Sequence, residues 1–196
     1  MPRGRKRMFD EDAALQTAME LFWRQGYEGT SIADITQALG IQPPSLYAAF
    51  GSKRELFEKA LDRYMARPTA DLREAMARPT AREVALHLLT SRVEAFIAPG
   101  LPRGCMTVRA GLACGEAHSD VVDLLAAVRE ETRKTVLERF EKAVADGDLP
   151  AGTDCGALAR CLMATIYGLS VEAASGAPRE ELLAAATFAA QLVPAG

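Results

Sequence analysis

The chain has 196 residues, of which 49% are hydrophobic and 25% charged, and its net charge is −3 at pH 7. A chain of this length buries roughly 70% of its unfolded surface, so it can form one or two domains without a metal or a disulfide to hold them. The slightly acidic balance excludes a protein that binds nucleic acid through a broad basic face.

The charges are distributed unevenly along the chain. Residues 1–7 contain four basic residues and no acidic one: Arg3, Arg5, Lys6 and Arg7. Residues 8–53 contain two basic residues and six acidic ones. Any contact with DNA must therefore be local. It must depend on the basic arm, on helix N-termini and on a few individual side chains. The alternative for the arm is a solvated tail.

The cysteines indicate neither a metal site nor a disulfide framework. They occupy positions 105, 114, 155 and 161, without C-x-x-C spacing and without a nearby pair of histidines. No cofactor is expected. No apolar run approaches the ~18 residues of a membrane span, and the basic start leads into acidic residues 10–12 rather than into a signal sequence. We expect a soluble, cytoplasmic protein without a membrane partner.

The hydrophobic periodicity is helical throughout, which predicts an all-α fold of about nine helices. Gly26 and Gly40 are placed to end the first two helices, and two prolines fit the first turn of the third. Ser31 and Asp34 have the spacing of a capping box. These signals predict helices over about 10–25, 32–39 and 43–50.

The remaining helices are predicted from caps and breakers. Ser52 and Glu55 have the S-x-x-E spacing that opens a fourth helix, and Pro68 is expected to end or kink it. Thr80 and Ser119 are expected to cap later helices. The predicted ranges are about 80–98, a short helix near 105, 119–145, 154–175 and 179–193.

Two short helices joined by a tight glycine turn are typical of a helix-turn-helix unit, whose second helix enters the major groove of DNA. If Leu46 and Phe50 point to the core, the helical rotation of 100° per residue turns the opposite side outward. That outer side carries Pro44, Ser45 and Ala48, with Tyr47 at its edge.

The segment from Gly26 to Leu56, GYEGTSIADITQALGIQPPSLYAAFGSKREL, resembles the DNA-binding domain of the tetracycline-repressor (TetR) family. The match covers about the first third of the chain. The resemblance implies a helix-turn-helix DNA-binding domain, here predicted over residues 1–66 with the basic arm. It also implies a helical effector-binding and dimerisation domain, predicted over residues 67–196.

The resemblance implies two groups of DNA-binding residues. One group positions the protein on phosphates: Thr30, Ser31, Tyr47 and Lys53. The other lies where the family contacts bases: Gln42, Pro43, Pro44, Ser45 and Ala48. Many relatives carry His or an aromatic residue where this chain has Ala48 and Ala49. We therefore expect phosphate contacts, and the arm in the minor groove, to supply a larger share of the affinity.

The C-terminal helices are expected to serve two roles. The resemblance implies a homodimer through a four-helix interface, although the stripe concerned can also pack internally. The predicted interface residues are Leu158, Leu162, Ile166, Leu169, Ala173, Leu182, Ala186 and Ala190. The middle helices are expected to enclose a small-molecule effector. The candidate effector residues are Tyr64, Phe96, Cys105, Met106, Arg109, Phe140 and Tyr167, and each is also a plausible core residue.

The functional prediction is a regulator, by default a repressor, which a small molecule releases from a palindromic DNA operator by shifting a conformational equilibrium. One alternative is a thiol-based regulator, because Cys105 follows Arg103 at a predicted helix N-terminus. A second is an enzyme that uses Cys105 with His87 or His118, but no oxyanion loop or metal set accompanies them. A third is a helical adaptor that does not bind DNA.

Overall fold

The computed structural model describes residues 9–112 and 114–195, and these ranges contain nine α-helices and no strand. The all-α prediction of about nine helices is confirmed for this part of the chain. The predicted basic arm lies outside the described residues. The helices are α1 (Glu11–Gly29), α2 (Ile32–Leu39), α3 (Pro43–Phe50), α4 (Lys53–Met76), α5 (Ala81–Phe96), α6 (Met106–Leu112), α7 (Ser119–Ala145), α8 (Cys155–Ala174) and α9 (Arg179–Gln191).

Side-chain caps begin five of these helices: α1, α2, α4, α5 and α8. The capping box of Ser31 and Asp34 is present at α2, and a second one joins Ser52 and Glu55 at α4. Gly40 ends α2 in the left-handed conformation, with φ of 63°. These three features agree with the sequence-based predictions because each depends on neighbours within one helical turn.

Three predicted boundaries differ from the structure. Gly26 does not end α1: it has φ of 78° and kinks the helix, which continues to Gly29. Pro68 was expected to end or kink α4; it does not end the helix, which runs through it to Met76. Ser119 is the first residue of α7 rather than its cap, a position held by His118.

The structure has two hydrophobic cores. The first contains residues of α1, α2, α3 and α4. It also contains Met106 and Ala110 from α6 and Val121 and Leu125 from α7. The second joins α5, α8 and α9 with the C-terminal half of α7. Helix α6 therefore packs into the same core as the helix-turn-helix, although it lies in the C-terminal part of the sequence.

The predicted dimer stripe requires correction. Seven of its eight residues are buried within this chain's own second core, and Leu158 is half-buried against it. The opposite sides of α8 and α9 are the exposed ones, with Val171, Phe188 and Leu192 among the large apolar side chains on the surface. Both sides of α8 are apolar, so the helical period alone did not distinguish the internal side from the external one.

Helix α8 is the element of the described residues that comes nearest to a membrane span, although Arg160 and Glu172 interrupt its apolar run. Its 20 residues are long and apolar enough to cross a bilayer by length and composition, with a mean hydropathy of 1.2. Its inner side packs against α5, α7 and α9, however, and core helices commonly pass the same test. We interpret α8 as a core helix with one apolar surface exposed.

Candidate nucleic-acid interface and inner cavity

Helix α3 presents one side to solvent, as the rotation argument predicts. Leu46 and Phe50 are buried, with 1% and 5% exposure, and fix the inner side of the helix in the first core. Tyr47 is 48% exposed. Of the predicted base-contacting residues, Ser45 is half-buried and the rest are exposed: Gln42, Pro43, Pro44 and Ala48.

The first turn of α3 has two side chains that can donate hydrogen bonds, those of Gln42 and Ser45. Pro43 and Pro44 have no N–H group, and the N–H of Ser45 donates to the carbonyl of Gln42 at 2.9 Å. The amide of Gln42 forms no capping hydrogen bond. Its amide group therefore remains available to a base edge, whereas the backbone of this helix end offers little to a phosphate.

Thr30 does not reach the surface. It is 0% exposed, and its hydroxyl donates to the carbonyl oxygen of Gly26 at 2.7 Å. This bond lies just beyond the kink in α1 and holds the chain where α2 begins. The prediction that the Thr30 side chain contacts a phosphate is therefore corrected. Its buried hydroxyl instead holds the start of α2 against the end of α1.

Ser31 is exposed, but its polar groups are already engaged. Its N–H and its hydroxyl both donate to the carboxylate of Asp34, at 2.8 and 2.7 Å. These hydrogen bonds hold the pKa of Asp34 below its usual range. The free N–H groups of Ile32 and Ala33, rather than the Ser31 side chain, are what this helix end can offer a phosphate.

Lys53 lies at the first turn of α4 with its ammonium 4.4 Å from the ring centroid of Tyr27. Desolvation by burial lowers its pKa. It forms no salt bridge with the carboxylates of the described residues, so its charge is available to an external anion. The Tyr27 ring is itself held edge-on by Phe57, at 5.0 Å between centroids.

A small cavity of about 50 Å³ lies between α4, α5, α6, α7 and α8. Three of the predicted effector residues line it: Tyr64, Cys105 and Tyr167. The Sγ of Cys105 accepts a hydrogen bond from the Tyr64 hydroxyl at 3.3 Å and lies 3.1 Å from Oγ1 of Thr107. Burial raises the pKa of Tyr64 well above its usual value and that of Tyr167 to about 12, so both phenols are neutral hydroxyl groups at pH 7.

The other four predicted effector residues are not at this cavity. Phe96 and Phe140 are buried in the second core and Met106 in the first. Arg109 is exposed on α6. Their helices were assigned correctly, but the side of each helix depends on packing between segments far apart in sequence.

Two arginines that sequence analysis missed line the cavity. Arg92 is 8% exposed and lies on the apolar side of α5 among Leu88, Leu89 and Phe96. Arg129 donates from Nη1 to the carbonyl of Thr107 at 2.6 Å. The sequence did contain a signal for Arg92, because it lies at the spacing of the buried apolar residues of α5. A charged residue at such a position is seldom buried without a partner, which indicates a polar site.

The surroundings of Cys105 differ from the predicted ones. Arg103 turns to the C-terminal end of α8, where its guanidinium donates to the carbonyls of Ala173 and Ala177 at 2.8 and 2.7 Å. The backbone N–H of Cys105 donates to Ser170 at 2.8 Å. Neither His87 nor His118 is among the hydrogen-bond partners of this thiol in the described ranges.

The start of α7 contacts the helix-turn-helix region directly. Arg54 forms ion pairs with Glu58 and Asp120, and the latter joins α4 to α7. The ring of His118 stands edge-on to Tyr27, with 5.1 Å between centroids. Arg54 follows Lys53 directly, and the Tyr27 ring lies 4.4 Å from the Lys53 ammonium, so both contacts connect the start of α7 to the surroundings of a predicted phosphate-binding group.

Comparison with known families gives two matches, which together cover most of the chain. Residues 14–60 match the model for bacterial regulatory proteins of the tetR family. Residues 84–187 match the tetracyclin repressor-like C-terminal domain. The chain is also 34% identical over 195 residues to the HTH-type transcriptional repressor ComR of Escherichia coli K12, covering 98% of this chain and 92% of ComR.

Two solved structures extend the comparison. A cysteine-substituted variant of the TetR family transcriptional regulator CifR, complexed with 26 bp double-strand operator DNA, is 44% identical. Its TM-score is 0.92, with 97% of this chain and 100% of that chain covered. A TetR transcriptional regulator from Rhodococcus sp. RHA1 is 72% identical but has a lower TM-score of 0.67, with 94% and 99% covered.

Proposed function

This chain belongs to the TetR family of bacterial regulatory proteins, and from that premise we propose that it represses transcription as a homodimer on a palindromic operator. The observation that carries the proposal is the exposed side of α3, where Gln42, Tyr47 and Ala48 are free of internal contacts that would hide them. A repressor works where the chromosome is, so we place the protein in the cytoplasm. This role requires no catalysis.

We assign the DNA contacts by their accessibility in the structure. Tyr47, Lys53 and the N–H groups at the start of α2 bind phosphates and set the orientation on the duplex. Gln42 is the side chain best suited to read a base, since its amide can bond adenine through two atoms. The methyl of Ala48 and the rings of Pro43 and Pro44 supply apolar contact.

We place the dimer interface on the outer sides of α8 and α9, rather than on the stripe predicted from sequence. Phe188 and Leu192 are each 64% exposed. Small exposed residues on α8, such as Ala164, allow close approach of a second pair of helices. Two recognition helices then meet successive major grooves ~34–36 Å apart.

We propose that a small molecule in the inner cavity reduces operator affinity. The support is that α6 contributes Thr107 to the cavity and Met106 to the core of the helix-turn-helix. The carbonyl of Arg109 on α6 also lies 3.7 Å from where a Cβ on Gly26 would be, so α6 rests on the kink of α1. A ligand that displaces α6 therefore alters the position of α1 and of the helices packed on it.

The test is binding of the purified chain to DNA from upstream of its own gene, measured by gel shift. We expect a specific shift that Tyr47→Ala removes or weakens strongly. Leu86→Ala is the matched control, because it truncates an exposed apolar side chain on α5, away from the proposed interface. A well-folded dimer without DNA affinity would instead indicate an adaptor.

A second candidate is regulation through Cys105, and the specific observation is that this residue lines the cavity as well as packing against the second core. An electrophile admitted to the cavity would reach this thiol. We expect a small alkylating reagent to lower operator affinity in the Cys161→Ser variant, which lacks the exposed cysteine, but not in a Cys105→Ser, Cys161→Ser double variant. Full modification of Cys105 with unchanged affinity rules this candidate out.

A further inference from the structure

The inner cavity has an unusual balance of charge for an acidic protein. None of the residues that line it is acidic, and two of them are the arginines Arg92 and Arg129. The remaining polar groups are hydroxyls and a thiol, on Tyr64, Tyr167, Thr107, Thr132 and Cys105. The cavity therefore presents hydrogen-bond donors and positive charge, and no carboxylate of its own.

Arg92 is the strongest observation. It is more than nine-tenths buried, and desolvation lowers its pKa. In the described residues, its guanidinium donates one hydrogen bond, from Nη2 to the carbonyl of Pro68 at 2.7 Å. Asp71 forms an ion pair with Arg92, at 3.7 Å from Nη1, but lies beyond hydrogen-bond distance. A guanidinium has five donors, so Arg92 can still donate to an anion in the cavity.

The shape of the site adds a second requirement. The cavity of about 50 Å³ has room for a group of a few atoms. Arg129 and Tyr167 also line an adjoining groove of about 420 Å³, whose other walls are Val108, Val122 and Val171 with two glycines. The two spaces thus meet at Arg129 and Tyr167, with a cationic inner end and an apolar outer end.

We infer that the effector is a small organic acid, with its carboxylate head group in the cavity facing Arg92, Arg129 and Tyr167 and its apolar body along the valine groove. This rests on the proposed function, in which a molecule in this cavity controls DNA binding, and it adds the chemical class of that molecule. Carboxylate and guanidinium pair through charge-assisted hydrogen bonds, which a neutral amide of the same shape cannot reproduce.

Trp23 provides a direct readout of binding. It is the single tryptophan of the chain, and its ring stands edge-on to Tyr64 with 4.9 Å between centroids. Tyr64 lines the cavity. A ligand that moves Tyr64 therefore changes the environment of the only indole, and intrinsic fluorescence reports binding in the absence of DNA.

The experiment titrates the purified full chain with acetate, butyrate, hexanoate and octanoate and with their primary amides, at constant ionic strength. We expect a saturable change in tryptophan fluorescence for at least one carboxylate, with affinity about 10-fold or more above that of its amide. Arg129→Gln and Tyr167→Phe should each weaken this binding. Arg73→Gln, the control, removes the same charge from an exposed position on α4 and should leave it unchanged.

Three results would overturn the inference: amides binding as tightly as acids, no saturable response to any carboxylate, or unchanged carboxylate binding in both cavity variants. Tyr167→Phe keeps the ring and its packing, so it tests the site even if Arg129→Gln does not fold. Operator affinity is measured separately by fluorescence anisotropy of labelled DNA. Carboxylate binding without release of DNA would contradict the release mechanism but not the ligand class. Release of DNA by neutral compounds alone would contradict the ligand class but not the release mechanism.

Discussion

Replacing Thr30 by valine separates a structural role from a DNA-binding role at the start of α2. Valine keeps the shape of the side chain and removes the hydroxyl that donates to the carbonyl of Gly26 at 2.7 Å. The site is fully buried, so no water replaces the lost donor. Loss of such a hydrogen bond costs about 1–2 kcal/mol of folding free energy. For a chain of this size that corresponds to a fall in Tm of roughly 2–8 °C.

The distinguishing assay is the salt dependence of operator affinity, measured by anisotropy beside a thermal melt. Each phosphate contact contributes about 0.9 to the slope of log K against log salt concentration. We expect Thr30→Val to lower Tm and leave this slope unchanged. Lys53→Gln, the comparison variant, should lower the slope by about 0.9 for each lost phosphate contact. A reduced slope with unchanged Tm in Thr30→Val would refute the argument, because it would identify the hydroxyl as a phosphate ligand.

Three further changes test other parts of the structure. Leu46→Ala empties a buried position beneath the recognition helix and should cost about 2–5 kcal/mol by chemical denaturation; a loss below 1 kcal/mol contradicts the packing described. Phe188→Asp should convert the dimer to a folded monomer in sedimentation velocity, and a persistent dimer would place the interface elsewhere. Asp120→Asn breaks an exposed ion pair with Arg54 and should change stability by less than about 1 kcal/mol, yet weaken the effector response in an operator-release assay.

Sequence patterns predicted those parts of the molecule that depend on near neighbours. The turn at Gly40, the two capping boxes and the rotation of α3 about Leu46 each involve residues within one or two helical turns. Thr30 shows the limit of this approach. It has the residue type of a phosphate ligand, but its exposure depends on the kink at Gly26, which the sequence suggested only as a helix end.

The cavity could not be predicted in the same way, because its walls come from five helices spread over about a hundred residues. Residue type correctly indicated that Tyr64, Cys105 and Tyr167 line the cavity. Phe96 and Phe140 are aromatic like the two tyrosines but lie in the second core. The outer side of α8 presented a similar ambiguity, since its alanine and valine residues are apolar like the leucine and isoleucine residues of the inner side.

Helix α6 is the element through which the cavity and the DNA-binding helices can communicate. It is seven residues long, with Thr107 at the cavity and Met106 and Ala110 fully buried in the first core. A helix held by packed residues on one side cannot yield to a ligand on the other without moving them, because well-packed cores have little free volume. The left-handed Gly26 lets α1 approach α6 at this point, so displacement of α6 acts on α1 at its kink. A displacement at Gly26 would also reach the start of α2, because the Thr30 hydroxyl donates to the Gly26 carbonyl.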